Sequence, residues 1–238
     1  MKKTKTKKIV FLTSGDGGNL HFLSEVIKNN LLKDAEIVEV ISDRECNAIL
    51  IAKKNQLPSS NVDFSENDQV QLLQKLSKIN PDLIVTTVHR ILHKSIVTMF
   101  HGKLINLHYS LLPSFGGSIG MSPVHDSIKF GSKFLGVTVH YAEEQVDMGK
   151  PIAQIIFPIF DESLTIETQN LVFRSGCLCL LAAIYSKFNP CFGGNESCIL
   201  KVQNKNCLLS GAILPAESKN LDENFWLDIQ NAVQKIAK

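Results

Sequence analysis

Short apolar runs and longer amphipathic stretches alternate along the first part of the chain, and this alternation restricts the possible folds more than any other feature. Apolar runs lie at 7–13, 35–42, 82–88 and 103–110, the first of them rich in β-branched residues, and a short strand is also predicted near 59–63. Helical patterns lie between them at 19–30, 46–56, 66–80 and 93–101. This βαβ repetition predicts an α/β fold of three layers, a mostly parallel twisted sheet with helices on both faces.

The pattern changes after residue 110. A Pro/Gly-rich loop (111–124) and a short helix (125–131) precede two strands at 133–144 and 151–160, and a long helix follows at 163–188, where Thr165 is placed as the N-cap. The tail predicts a hairpin (198–213) and an amphipathic helix (224–237). We expect residues 1–8 to be a disordered basic tail, 9–188 the main domain, and 189–238 an extension of that domain. This extension either covers the edge of the core or makes a dimer contact, so the chain is expected to be a monomer or a homodimer.

Charge and composition exclude several classes of function. The chain has 25 basic and 23 acidic residues, a net charge of +2, so neither nucleic acid nor an anionic membrane is an expected partner. We expect no apolar run to reach the roughly 20 residues that a membrane helix needs, and we expect a cytoplasmic location. The six cysteines form no C-x-x-C pair, so we expect no metal site and free thiols, including Cys198 and Cys207.

A glycine-rich turn, Ser14-Gly15-Asp16-Gly17-Gly18-Asn19, joins the first predicted strand to the first helix. Glycines let backbone N–H groups approach an anion, and the positive end of the helix dipole favours one. The turn does not match the dinucleotide fingerprint G-x-G-x-x-G, because Leu20 stands at the third glycine position, and no Lys-Ser/Thr pair completes a P-loop. A phosphate site and a plain strand–helix turn both fit this sequence.

Two polar residues, Asn106 and His108, interrupt the apolar run at 103–110. Alternation along a strand places both side chains on one side, near the carboxyl end where parallel α/β sheets bind ligands. A buried polar group is costly unless it is paired, so a hydrogen-bonded core pair is the alternative interpretation.

A third candidate, Asp147, lies in the loop between the predicted strands 133–144 and 151–160, where an Asp often serves only to form the turn. An amide, an imidazole and a carboxylate together suit attack on a carbonyl carbon, because donors stabilise the oxyanion and the carboxylate orients or deprotonates its neighbours. No G-x-S-x-G elbow provides a serine nucleophile, so the combination favours direct attack by a bound substrate.

The segments LINLHYSLLPSFGG (104–117), GVTVHY (136–141) and VDMGKPIAQ (146–154) resemble the folate-dependent formyltransferases. The opening KIVFLTSGDGGNL (8–20) resembles the phosphate loop of that family, and NPDLIV with RIL (80–92) resembles its folate-pocket segment. The similarity covers about residues 8–185 in the same order. It implies a Rossmann-related formyltransferase fold, with 9–188 as the catalytic domain.

The resemblance also implies an activity and a set of site residues. The expected co-substrate is 10-formyltetrahydrofolate, without a metal, and the expected acceptor is a small-molecule amine, foremost glycinamide ribonucleotide of purine biosynthesis. Asn106, His108 and Asp147 are then catalytic, and Ser110, Leu111 and Pro113 shape the adjoining turn. The substrate phosphate is assigned to Gly17, Gly18 and Asn19, and the folate to Arg90, Ile91, Leu92, Val139 and His140.

The sequence departs from the family pattern mainly where the amine substrate is expected to bind. Gly18 replaces a serine of the phosphate loop, residues 61–68 lack the expected arginine, and Ser175 stands where the long helix is expected to offer a glutamate. Three alternatives therefore stay open. They are transfer to another amine such as a nucleotide-linked amino sugar, hydrolysis of the formyl donor, and a non-catalytic binding protein with the same fold.

Overall fold

The computed structural model describes residues 5–65, 69–160, 163–190 and 197–236. The described residues form two compact units. The first comprises the chain up to Ile105 together with the segment from Ala216 onward, and the second comprises Asn106–Pro215. The division between them falls within one strand, Leu104–His108.

The first unit is built on parallel strands, as the alternating pattern predicts. The strands are β1 (Lys7–Thr13), β2 (Ala35–Ser42), β3 (Ser59–Asn61), β4 (Leu83–Thr87) and the beginning of β5 (Leu104–His108). Its helices are α1 (Gly18–Lys28), α2 (Asn47–Lys54), α3 (Val70–Ile79), α4 (Lys94–Met99) and α7 (Glu223–Ile236), with a short 3-10 helix at Ala216–Asn220. β1 pairs in parallel with both β2 and β4, and β3 pairs with the other side of β2.

The carboxyl-terminal helix α7 belongs to this first unit and packs on α1 through aromatic rings. The ring of Trp226 stacks on that of Phe22 with 5.5 Å between centroids and 6° between planes. Phe22 is fully buried and Trp226 is nearly so. Burial of two such large apolar surfaces stabilises the attachment of α7.

The second unit is antiparallel. It contains β6 (Phe134–Tyr141), β7 (Pro151–Pro158), β8 (Ser197–Val202) and β9 (Lys205–Ser210), with α5 (Ser122–Phe130) and α6 (Ile166–Phe188). β7 pairs with β6 on one side and with β9 on the other, and β8 pairs with β9. The α/β class is therefore confirmed, with a parallel first unit and an antiparallel second unit.

Helix α6 packs on β6 and β7 and forms the core of the second unit. Thr165 caps it as predicted, because its hydroxyl accepts a 3.1 Å hydrogen bond from the Thr168 N–H. Cys177 and Cys179 lie on it fully buried, and burial raises the pKa of the Cys179 thiol to about 12 and that of Cys177 well above its usual value. The helix is long and apolar enough to cross a membrane, contrary to our expectation, but most of it is buried inside the unit, as in the core helix of a soluble protein.

Several boundaries differ from the sequence-based expectation. α5 begins at Ser122, within the predicted loop 111–124, because Pro123 is compatible with the first turn of a helix. β5 ends at His108 rather than at residue 110. Lys7 and Lys8, in the predicted tail, lie in β1, where the Lys7 N–H donates to Asp34 O at 2.7 Å. α3 begins at Val70, and its predicted start at 66–68 lies outside the described residues.

The predicted extension 189–238 is shared between the two units. The hairpin β8–β9 belongs to the second unit, whereas α7 belongs to the first. A division into one catalytic domain and one extension stays a prediction. The five cysteines within the described ranges, including Cys198 and Cys207, form no disulfide bond.

Candidate active site

His108 ends β5 with both ring nitrogens next to oxygen atoms. Nε2 lies 3.0 Å from the carbonyl oxygen of Phe115, and Nδ1 lies 3.4 Å from Oδ2 of Asp147. Both oxygens are acceptors, so each contact favours a hydrogen on the ring nitrogen that faces it. The ring is nearly buried, and these contacts fix its orientation.

Asp147 lies in the loop between β6 and β7 with a left-handed backbone, φ 56°. Its side chain is only 8% exposed, and Oδ2 accepts a 2.8 Å hydrogen bond from the Gly117 N–H. Burial alone raises the pKa of Asp147, but the His140 contact, the Gly117 N–H and the nearby His108 outweigh it, so the pKa lies below its usual value. The carboxyl group is therefore ionised at neutral pH.

A second imidazole, that of His140 on β6, completes this cluster. Its Nδ1 donates to Tyr141 O at 2.8 Å, and its Nε2 lies 3.2 Å from Nδ2 of Asn106 and 3.5 Å from Oδ1 of Asp147. The second unit thus brings together the three side chains predicted to be catalytic, with His140 between two of them.

The predicted folate contacts of Val139 and His140 stay a prediction. Both side chains are buried, at 0% and 1% exposure, and the His140 ring faces Asn106 and Asp147. The sequence-based assignment gave His140 no contact with the catalytic residues. The signal was present, because His140 interrupts the apolar strand GVTVHY.

Thr138, two residues earlier on the same face of β6, holds the turn that follows His108. Its hydroxyl donates to Ser110 O at 2.7 Å and accepts from the N–H of Leu112 at 3.1 Å. The amide of Gln154 donates to the same hydroxyl at 3.1 Å and to Leu112 O at 3.3 Å. This network fixes the turn through Ser110 and the cis bond between Leu112 and Pro113.

In the first unit, the glycine-rich turn leads into α1 as predicted. Gly17 is the N-cap residue of that helix, with φ 77°. A Cβ at Gly17 would lie 2.6 Å from Cα of Ala48, so only glycine fits there. The first turn of α1, with Gly18 and Asn19, presents the positive end of the helix dipole.

An acidic group with two arginines lies beside this turn. Asp43, whose side chain is 4% exposed, bonds Arg44 at 2.5 Å and lies 4.0 Å from Nε of Arg90. Burial raises the pKa of Asp43, but its hydrogen bonds with Arg44 and Ser14 outweigh it and lower the pKa below the usual value. Half of the Arg44 side chain is exposed, so a cation faces solvent near the turn.

The predicted folate segment, Arg90 to Leu92, is held by a residue that the sequence did not single out. Gln69, 4% exposed, donates to Ile91 O at 2.9 Å and accepts from the His93 N–H at 2.9 Å. The Ile91 side chain is 71% exposed. Within the described ranges, no group of three or more His, Cys, Asp or Glu residues is arranged to hold a metal ion.

The family model described as formyl transferase matches residues 7–175 of this chain. The chain belongs to the formyl transferase family. The match includes every residue assigned above to catalysis, to the phosphate or to the folate.

Several characterised members of the family are similar to this formyl transferase chain. A trifunctional purine biosynthetic protein of Chironomus tentans is 34% identical over 197 residues, 77% of this chain. Phosphoribosylglycinamide formyltransferase of Mycobacterium tuberculosis is 31% identical over 160 residues, and formyltetrahydrofolate deformylase of Haemophilus influenzae 29% over 163. The chain spans 14% of the first, 72% of the second and 56% of the third.

Solved structures give the same family assignment. The crystal structure of phosphoribosylglycinamide formyltransferase from Anaplasma phagocytophilum matches with a TM-score of 0.70 and 26% identity, covering 85% of this chain and 94% of that one. The predicted formyltransferase-like fold is therefore confirmed.

Proposed function

We propose that this chain transfers the formyl group of 10-formyltetrahydrofolate to a primary amine, and that the amine is glycinamide ribonucleotide. The observation that carries this proposal is the meeting of Asn106, His108 and Asp147 in the second unit. An amide donor, an imidazole and an ionised carboxylate are groups suited to acyl transfer to an amine.

The reaction begins when the unprotonated amine attacks the formyl carbon. The carbonyl oxygen becomes an oxyanion, and we assign its stabilisation to the Asn106 amide and to the His108 Nε2–H, which in this structure faces Phe115 O and would exchange that contact for the oxyanion. Asp147 orients the His108 ring through the 3.4 Å contact with Nδ1. Loss of one such donor reduces the rate on the order of 100-fold or more.

We assign the proton transfer between the amine and the folate nitrogen to Asp147. The amine nitrogen must lose a proton as the new C–N bond forms, and the folate nitrogen must gain one as the old bond breaks. Asp147 has a lowered pKa and is ionised at neutral pH, so it can accept the proton directly or through water and pass it on.

The identity of the acceptor is supported by the first unit and by the relatives. The helix dipole of α1 favours an anion such as a phosphate at its amino terminus, and the half-exposed Arg44 adds a cation near the same turn. Two of the relatives reported above are named for glycinamide ribonucleotide formylation or purine biosynthesis. Arg44 is the candidate replacement for the arginine that residues 61–68 lack.

Hydrolysis of the formyl donor is the second candidate function, because a formyltetrahydrofolate deformylase is 29% identical to this chain. The two reactions share the attack on the formyl carbon and differ only in the nucleophile. Another acceptor, such as a nucleotide-linked amino sugar, is the third. Location in the cytoplasm and the absence of nucleic acid and membrane partners stay predictions.

One experiment separates these functions. The pure protein is incubated with 10-formyltetrahydrofolate, with and without glycinamide ribonucleotide, while absorbance reports donor loss and mass spectrometry reports the formylated amine. Donor loss that requires the ribonucleotide supports the proposal. Loss without any amine supports hydrolysis, and no loss with this amine or any other contradicts catalysis.

Variants connect the activity to the site. We expect His108→Ala and Asp147→Asn each to lower kcat on the order of 100-fold or more. The matched controls are His101→Ala and Asp126→Asn, which change exposed residues outside the cluster. Near-normal turnover by His108→Ala would refute the assignment.

A further inference from the structure

The ring of His140 makes contacts that its assignment to the folate does not explain. Nδ1 faces the carbonyl oxygen of Tyr141 at 2.8 Å, and since that oxygen can only accept, Nδ1 carries a hydrogen. Nε2 is then left to contact both Asn106 and Asp147.

These two contacts make opposite demands on the same nitrogen. The Nδ2 atom of Asn106, at 3.2 Å, is a donor and requires a lone pair on Nε2. The Oδ1 atom of Asp147, at 3.5 Å, is an acceptor and requires a hydrogen there. Neutral His140 therefore holds the Asn106 amide, whereas charged His140 pairs with Asp147 and leaves the amide to turn its oxygen towards the ring.

Two titratable side chains lie close to this ring or to its partner carboxylate. Asp147 approaches from the loop between β6 and β7, and His108 approaches from β5, 3.4 Å from the other carboxylate oxygen of Asp147. The His140 side chain is 1% exposed, so these contacts are poorly screened by water.

We infer that His140 is a positioning residue that sets the orientation of the Asn106 amide and holds the Asp147 carboxylate in place. The inference rests on the proposed formyl transfer for its catalytic consequence. In the reaction, His140 acts through Asn106, whose amide it orients toward the oxyanion, and through Asp147, whose carboxylate it contacts.

Two substitutions at one position test this inference. Glutamine cannot be protonated, but its amide can donate to Asp147 and accept from Asn106. Leucine fills similar volume with no polar atom. We expect His140→Leu to lower kcat about tenfold to a hundredfold, as a misplacement near 1 Å does, with both KM values within about threefold of the parent. We expect His140→Gln to recover most of that loss.

The pH dependence distinguishes positioning from packing. Because the His140 contact lowers the pKa of Asp147, its loss in His140→Leu moves the acidic limb of the kcat/KM profile to higher pH. His140→Gln keeps the hydrogen bond and most of the original limb. Equal losses in both variants with an unmoved limb, or parental kinetics in His140→Leu, would overturn the inference.

A measurement that does not need activity separates this inference from the proposed function. Carboxyl 13C NMR of Asp147 in the folded protein follows its titration directly, and circular dichroism verifies that each variant is folded. The Asp147 midpoint should rise in His140→Leu and rise less in His140→Gln. An unchanged midpoint in both refutes the contact even if formyl transfer is confirmed, and a shift supports it even if formyl transfer fails.

Discussion

Gly149 offers a direct test of how closely the Asp147 loop must be held. A Cβ at this position would overlap the Tyr141 carbonyl oxygen and lie 2.8 Å from the carbonyl carbon, with Glu143 Cγ at 3.2 Å. Gly149 has no positive φ, so alanine would meet a steric obstacle and no dihedral penalty. The overlapping atoms belong to the Tyr141 backbone, which cannot move aside by changing a side-chain rotamer. Gly149→Ala must therefore shift the loop that carries Asp147.

The size of the effect follows from the geometry. Ordinary carbon contacts begin near 3.4 Å, so a shift on the order of 1 Å is needed to relieve the overlap. Asp147, two residues away, has contacts of 2.8, 3.4 and 3.5 Å that such a shift would break. We expect kcat to fall about 100-fold, and the free energy of unfolding to fall by about 1–3 kcal/mol from overpacking.

Gly131→Ala is the matched control. Gly131 ends α5 with φ 82°, and a Cβ there would meet nothing within 4 Å, so alanine has only the dihedral cost of about 1–2 kcal/mol. Urea unfolding and steady-state kinetics are measured on both variants. We expect similar destabilisation and a large loss of kcat only in Gly149→Ala. If Gly149→Ala retains parental kcat, catalysis does not depend on holding Asp147 in its present position.

Three other substitutions have defined outcomes. Thr138→Val should lower the free energy of unfolding by about 2–4 kcal/mol, because it leaves buried polar groups of the turn unpaired. Thr138→Ser keeps the hydroxyl and should recover most of that loss. Equal urea midpoints for the two variants would contradict this expectation. Burial lowers the pKa of His21 although nearby Glu25 opposes it, so the unfolded state binds the proton more readily and stability should decrease as pH falls through 6.5. Urea unfolding at pH 7.5 and 5.5 should show this decrease in the parent and less of it in His21→Gln. Arg44→Ala should raise KM for the phosphorylated acceptor about tenfold without changing KM for the formyl donor. The control Lys33→Ala should change neither KM. If both KM values of Arg44→Ala stay at the parental level, Arg44 does not bind the acceptor phosphate.

The sequence was sufficient for the elements of the fold and for three of the residues in the candidate site. Asn106 and His108 were placed on one strand face by simple alternation, and Asp147 was placed in the loop between two strands. Only the family resemblance implied that these three residues converge. Local sequence patterns do not predict which loop a distant strand will contact. The left-handed backbone of Asp147 was also not predictable from its neighbours.

The contacts that were missed depend on tertiary structure. Thr138 and His140 share one face of β6, yet their partners lie in segments far away in sequence, so propensity and periodicity do not identify those partners. Gln69 likewise binds backbone atoms more than 20 residues away. The start of α5 was missed because Pro123 suggested a loop, although proline is common in the first turn of a helix.

The two buried thiols of α6 allow local opening of the second unit to be measured. With Cys177 and Cys179 fully buried and their thiolates suppressed, alkylating reagents can modify them only during excursions that separate α6 from β6 and β7. Exposed Cys198 reacts without any such excursion and gives the intrinsic chemical rate on the same molecule. The alkylation rate of Cys177 and Cys179 divided by that of Cys198, measured by peptide mass spectrometry, therefore gives the frequency of local opening of the core. No probe has to be introduced.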